Sequence, residues 1–403
     1  MRFNAVSIAL VLFAVTHYAS AQGSAGYPFV TPADPRSIAM GESFVGLPSN
    51  PAALMYNPAG LAGLTGLSIS YSRKSLEWEA KGWDLTSFNA VAATSFGVFA
   101  AQYNRNSLGT IPVTTEQSPD GTGAEITLYS HDVALGYAYR LPVGLALGFS
   151  VKYYDMVESY SGLILQPVSI PTSTPAYLFD FGLTYTLPSL HEQQTIEDSI
   201  TVGLSYQNIG TLWKLTYPAY VTPLGVPGAS VQFYTQLPEY FRIGLSYAMS
   251  VRPAEGKTLS PFAAVLSGEF RSLRASIPTS YTLYGSYAPL PETSYWGLGL
   301  EFTFFDILSV RGGASFRPYS DVEADRDKAA FRYGAGVHLP FQKIGVDFPV
   351  TLSIQYTVIP VSEPIIADYI IATSGYPLFG DAGVNKGTFP VFSLEIQYTG
   401  SPW

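Results

Sequence analysis

Histidine is the first residue type to test for catalysis or metal binding. His17, His131, His191 and His338 each stand without a second donor at ligand spacing. No Gly-x-Ser-x-Gly nucleophile turn occurs. Gly256-Lys257-Thr258 imitates the end of a phosphate-binding loop, but Val251 stands where that loop needs its first glycine, so the tripeptide reads as a turn between strands. Asp321, Glu323, Asp325 and Asp327 alternate in one loop, and stacked carboxylates of this kind can hold a divalent cation. The loop lacks the central glycine of a calcium-binding turn, so it reads as a solvated acidic segment. These residues give no support for an enzyme, a cofactor or a metal site.

The remaining chemistry lies in two other sets. Lys152, Arg242, Glu301, Arg311, Arg332 and Glu395 fall on the sparsely charged faces of alternating segments. Charges on such a face need partners, so they are expected to pair with one another or with the N-terminal segment rather than hold a substrate. Two long connections, 211–238 and 359–390, are apolar instead. The first carries Trp213, Tyr217, Tyr220, Phe233 and Tyr234, and the second Ile365, Ile366 and Tyr369. Loops this apolar either pack over one another or bind a ligand or partner.

What positions them is a strand-dominated chain. Leu145, Leu147, Phe149, Val151 and Tyr153 alternate with Ala146, Gly148, Ser150, Lys152 and Tyr154, and the same period of two recurs through Phe392, Leu394, Ile396 and Tyr398 near the end. The polar faces are mostly Gly, Ser, Thr and Ala, too small and too sparsely charged for a solvated face but suited to a barrel lumen that must hold a plug or channel. Fourteen strands are expected: 67–73, 84–94, 97–104, 126–140, 145–158, 177–187, 200–209, 239–250, 260–270, 295–304, 308–316, 331–340, 350–358 and 391–399. Long and short connections alternate between them, as in an outer-membrane barrel with long outer loops and short periplasmic turns. The segment 281–287 is assigned to an outer loop to keep that parity. Tyr137, Tyr139, Tyr153, Tyr185, Tyr206, Tyr247 and Tyr356 fall near strand ends, where an interfacial girdle would place them.

One segment does not read as strand. In residues 35–64 two helix starts sit seven residues apart, Asn50-Pro51-Ala52 and Asn57-Pro58-Ala59, each with an Asn to cap and a Pro at the first helical position. Asn57 interrupts the first, and Gly60 and Gly63 weaken and stop the second, giving a kinked plug of single turns. Its apolar residues cannot form a core alone and must pack on the strands that follow.

Residues 1–21 read as a secretory signal, with Arg2, an apolar core from Ala5 to Val15 and an Ala19-Ser20-Ala21 cleavage site. The organisation expected is therefore 1–21 signal, 22–66 hatch and 67–403 barrel. The 403-residue chain has no cysteine, so neither disulfides nor thiolate metal sites are available. It has 29 Tyr, 24 Phe and 13% charged residues, about half the usual charged share. The formal charge of −9, or −10 once Arg2 leaves with the signal, argues against a nucleic-acid partner.

The run Ala39-Met40-Gly41-x-x-Phe44-Val45 followed by Tyr56-Asn57-Pro58-Ala59-Gly60-Leu61 resembles the opening of the FadL and PorV group of bacterial outer-membrane barrels. Ile111–Glu116, Ser205–Gly210, Leu237-Pro238 before Phe241–Leu245, and Glu301–Leu308 with Arg311-Gly312-Gly313 resemble the PorV branch at comparable places. The resemblance implies a monomeric 14-stranded antiparallel transmembrane β-barrel in the outer membrane, in contact with its lipid, with a short N-terminal helical hatch (Asn50, Pro51, Asn57, Pro58, Ala59, Gly60). Its PorV branch implies a component of the type IX secretion system that binds secreted cargo proteins at the apolar loops. The wider FadL group implies a transporter for hydrophobic small molecules such as fatty acids or aromatic hydrocarbons. The secretion reading is placed first because the later motifs match that branch better. Two departures stand out: Leu47-Pro48-Ser49-Asn50 replaces the acidic residues common before the Tyr-Asn-Pro-Ala-Gly helix, and Gly400–Trp403 runs on past Tyr398.

Overall fold

The computed structural model describes residues 33–47, 51–75, 83–112, 123–161, 172–187, 189, 195–217, 231–235, 237–274, 293–316, 329–360 and 388–399. Among these residues a short helix, α1 (Pro35–Ala39), and two 3-10 turns, Pro51–Met55 and Pro58–Gly63, precede seventeen strands. These are β1 (Leu67–Ser75), β2 (Trp83–Thr94), β3 (Gly97–Pro112), β4 (Glu125–Arg140), β5 (Leu145–Ser161), β6 (Thr172–Thr174), β7 (Ala176–Thr186), β8 (Ile196–Gly210), β9 (Trp213–Tyr217), β10 (Val231–Thr235), β11 (Glu239–Val251), β12 (Phe262–Arg274), β13 (Thr293–Phe304), β14 (Leu308–Phe316), β15 (Ala329–Pro340), β16 (Val350–Pro360) and β17 (Thr388–Tyr398).

Fourteen of them close an antiparallel barrel, in which β1 pairs with β2 on one side and with β17 on the other. Closure removes the open sheet edges that lipid cannot solvate. Every barrel strand turns large apolar side chains outward, for example Ile69, Phe88, Phe99, Leu135, Phe149, Phe181, Leu204, Leu245, Leu266, Trp296, Val310, Val337, Ile354 and Ile396. A continuous apolar belt of this kind on a closed barrel is a membrane-facing wall. Tyr103, Tyr129, His131, Tyr153 and Tyr177 form a contact row across four adjacent strands, with neighbouring ring centroids 5.8–6.4 Å apart. His131 thus sits in an aromatic band.

The alternation read from the sequence sets the two faces: Ala146, Ser150, Lys152 and Tyr154 are buried in the lumen, while Leu147, Phe149 and Val151 face out. Several strands run further than their pattern indicates. β3 continues to Pro112 and β5 to Ser161, because hydrogen-bonded pairing with β4 carries on past the apolar stretch, across a register shift between Ser107 and Thr110. The connections 159–176 and 210–238, expected as loops, also contain a separate three-stranded sheet, β6–β9–β10. Gly256-Lys257-Thr258 lies in a turn, with the Lys257 N–H donating to the Ala254 carbonyl at 2.8 Å. Residues 281–287, the acidic residues Asp321 to Asp327, and the signal segment lie outside the described residues.

Candidate functional site

The hatch lies within the barrel and follows its wall. α1 starts because Asp34 caps it, accepting from the Ser37 N–H at 2.8 Å, and Pro35 occupies its first position. This helix was not anticipated, since the signals at Asn50 and Asn57 are stronger. Asn57 caps the second 3-10 turn by accepting from the Ala59 N–H at 3.0 Å, and its amide donates to the carbonyls of Val45 at 2.8 Å and Leu183 at 3.2 Å. Pro51, Pro58, Ala59 and Gly60 are buried in the two 3-10 turns; Asn50 lies outside the described residues.

Residues 33–47 are fastened by charge. Arg36 binds Glu301 of β13 through two bonds, 2.9 and 2.8 Å, and Glu301 also accepts from Arg311 of β14. Glu42 sits between Arg271 of β12 and Arg332 of β15. Burial alone would push the Glu42 carboxyl up; the two guanidiniums overcome this and hold it well below the ordinary carboxylate range. Gly41 and Glu42 both adopt left-handed backbone, φ 63° and 60°, which turns the chain so that Glu42 reaches both arginines. The Phe44 and Val45 N–H groups donate to Glu269 at 2.7 and 2.8 Å, and Glu269 is paired with Arg242 at 2.8 Å.

Residues 51–64 contain no charged side chain. They are seated by size instead. Leu54, Leu61 and Leu64 pack with Val91, Val98, Ala100, Ala134 and Ala138 of β2, β3 and β4. Wall glycines leave the room: a Cβ at Gly136 would lie 2.3 Å from a Leu54 methyl, at Gly148 2.3 Å from the Ala59 nitrogen, and at Gly182 1.9 Å from the Asn57 side-chain oxygen Oδ1. The same holds for Gly203 against Val45, Gly297 against Gly41 and Gly299 against Met40, so a belt of inward glycines follows the hatch round the wall.

The remaining lumen residues named from the sequence are paired as well. Lys152 bonds Asp180 at 2.7 Å and Asn208 at 2.8 Å, Arg332 bonds Glu42, and Glu395 accepts from Ser68 at 3.0 Å. Their partners Arg36, Glu42, Asp180, Glu269 and Arg271 were missed. The glycine belt was legible in principle, as a glycine at an inward position on successive strands.

The loop residues are not gathered into one site. Trp213 is buried, packing with Tyr154, Ala176, Leu178 and Leu237 and donating to Asp155 at 3.3 Å, so its ring is taken up inside the outer end of the barrel. Tyr217, Phe233 and Tyr234 lie on β9 and β10, whose backbones pair. Tyr220, Ile365, Ile366 and Tyr369 lie outside the described residues.

The lumen face of the β3–β4 pair changes character along its length. From the outer end the registered pairs are Asn106 with Ser130, Asn104 with Asp132, Gln102 with Ala134, Ala100 with Gly136, and Val98 with Ala138. At the polar end is a chamber lined by Gln102, Asn104, Asp132, Lys152, Gln207, Asn208, Tyr240 and the hatch residue Met55, with about 10 Å³ free, room for one water. At the short-turn end Val98 and Ala138, with Ala62, Leu64 and Ala93, line an open cavity of about 500 Å³ whose rim carries Thr65, Thr94, Ser95, Tyr139, Arg140 and Thr399. Leu54 fills the stretch between them, over Gly136.

No protein-family model and no curated protein sequence matches the chain. Among solved structures it is similar to the Pseudomonas putida toluene transporter TodX, at 11% identity over 94% of this chain and 100% of that one, with a TM-score of 0.44. It is also similar to the Ralstonia pickettii toluene transporter TbuX, at 13% identity over 90% and 96% with a TM-score of 0.43. A Pseudomonas aeruginosa FadL homologue gives 13% identity over 95% and 100% with a TM-score of 0.44. Neither the identity nor the superposition is high enough to place the chain in a family.

Proposed function

We propose that this chain is a channel of the bacterial outer membrane that passes small apolar molecules inward along the β3–β4 wall, between that wall and residues 51–64 of the hatch. The observation that carries this reading is the graded track: a small polar chamber, an uncharged seam filled by Leu54, and a cavity of about 500 Å³ open at the short-turn, periplasmic end. That volume is in the range of small-molecule sites. The seam has apolar contacts where a hydrophobic solute needs them, and displacing Leu54 exposes no charge.

The reading placed first from the sequence, cargo binding in type IX secretion, gains no support. Trp213, the loop aromatic whose side chain is described, is buried rather than presented to a protein surface. The chain acts as a monomeric barrel in outer-membrane lipid, without catalysis or cofactor, its residues 1–21 serving as signal and 22–66 as hatch.

Toluene, named for two of the barrels above, is a suitable apolar probe. Cells with an intact lipopolysaccharide layer should take up labelled toluene several-fold faster with this gene than without it, and their exported proteomes should be the same. Equal uptake, with exported proteins stalled in the periplasm of the deletion strain, would overturn the channel in favour of secretion.

A further inference from the structure

The outer chamber of the track has an excess of acceptors. Asn104 and Asp132 are a registered pair on β3 and β4, 3% and 0% exposed, and the Asn104 amide donates to one Asp132 oxygen at 2.9 Å. The Asn104 side-chain oxygen, Oδ1, and the second Asp132 oxygen, Oδ1, have no hydrogen-bond partner. One rung further out the same is true of Asn106 Oδ1, on a side chain 1% exposed. Ser205 Oγ on β8 is a further buried oxygen without a partner, but the buried carboxylates of the hatch clamps are matched: Glu42 by two arginines, Glu301 by two arginines, and Glu269 by an arginine and two backbone N–H groups. Buried acceptors without donors are costly, and those on one strand pair beside a cavity mark where a donor binds.

We infer that the chamber recognises a hydroxyl group, so that this channel selects apolar molecules bearing one hydrogen-bond donor, phenols and alkanols, over the corresponding hydrocarbons. The inference rests on the channel reading above and names the substrate class for it. Space decides the size of the group: about 10 Å³ accepts one oxygen atom, and the apolar remainder of the molecule must lie elsewhere. Charge decides its state. Lys152 and Asp132 both line the chamber, so an ammonium or a carboxylate would meet a like charge as well as an opposite one and gain no net attraction to offset its desolvation, whereas a neutral O–H loses little. A neutral O–H fits this space, donates to Asp132 Oδ1 or Asn104 Oδ1, and leaves the ring or alkyl chain to run toward the Leu54 seam. There the lining changes to Ala100, Ala134 and Val98, where an apolar body is better placed than a polar one.

The test compares toluene with 4-methylphenol, which differ by one hydroxyl, as initial uptake of labelled compound into intact cells carrying the full-length chain. The wild type is expected to take up 4-methylphenol about tenfold faster than toluene, the ratio of one well-made buried hydrogen bond. Asn104→Leu with Asp132→Leu, near-isosteric and without acceptors, should bring the ratio of the 4-methylphenol rate to the toluene rate down to about one. Heat-dependent gel migration of the extracted protein confirms that the variant barrel is folded; if it is not, Asp132→Leu alone, which removes one of the chamber's two unpartnered acceptors, should reduce the preference in part. Equal rates for the two compounds in the wild type, or a preference unchanged in the folded variants, would overturn the hydroxyl-reading chamber while leaving the channel intact. Entry of neither compound would overturn both.

Discussion

The two arms of the hatch meet the same barrel by different physics. Residues 33–47 are bound to β12, β13 and β15 by buried ion pairs through Arg36 and Glu42, and by Glu269 accepting from their backbone. Residues 51–64 carry no charge and are held against β2 to β7 by fit, with Leu54, Asn57 and Ala59 set against glycines. Separating a buried ion pair exposes two charges in a medium that cannot solvate them, whereas sliding an apolar surface past glycines replaces one van der Waals contact with another. The difference assigns the roles: the first arm anchors the hatch and the second yields. Tyr56 and Asn57 join them, through the Tyr56 ring on Phe44 at 5.2 Å and the Asn57 amide on the Val45 carbonyl.

The comparison is broken most severely at Glu42. Glu42→Ala leaves Arg271 and Arg332 buried and facing each other, and should cost about 3–5 kcal/mol of hatch docking. Hydrogen exchange should then rise throughout residues 33–47, and small ions should leak through the barrel in planar-bilayer recordings. Acid should not reproduce this under mild conditions. The carboxyl is held below its unfolded value, so its contribution is complete above the ordinary carboxylate range and is lost only as pH falls through the lower, folded value. The first arm should stay protected at about pH 4, near the unperturbed carboxylate value.

Leu54→Ala tests the yielding arm. Truncating a fully buried leucine costs about 2–5 kcal/mol, but here it also empties the middle of the track, so toluene uptake should increase while exchange in residues 33–47 stays as it was. Gly148→Ala should cost about 1–3 kcal/mol by overpacking, because the Ala59 and Pro58 backbone leaves no room for the methyl. Gly312→Ala, with nothing within 4 Å, is its neutral control. A matched change in thermal unfolding for the two glycines would contradict the belt. The smallest effect is at Asn57→Ala, where loss of the cap costs about 0.5–2 kcal/mol. It should loosen the second arm and its join to Val45, and admit small polar solutes; unchanged permeability would remove Asn57 from the seal.

Much of this architecture is legible in the chain. Leu145 to Tyr154 show both faces of their strand, because a period of two is the whole of the inside–outside code in a barrel. The Asn57-Pro58 start is legible because capping is local. The arginine clamps are not: Arg36 meets Glu301 265 residues away, and nothing near either residue specifies the other. The chamber is invisible for the same reason, since Asn104 and Asp132 become neighbours through the β3–β4 register and their missing donors are a property of the packed lumen. The β6–β9–β10 sheet escaped because three short strands in apolar loops give too few residues to show a period.

The most direct test of a fixed and a yielding arm uses engineered disulfides, free of competition because the chain contains no cysteine. Ser43→Cys with Ser267→Cys, whose oxygens are 2.6 Å apart, ties the first arm to β12; Leu54→Cys with Gly136→Cys ties the second to β4. Toluene uptake should be unaffected by oxidising the first pair, and should be abolished by oxidising the second and restored by a reductant. Uptake that survives the second crosslink, or stops with the first, would contradict the account.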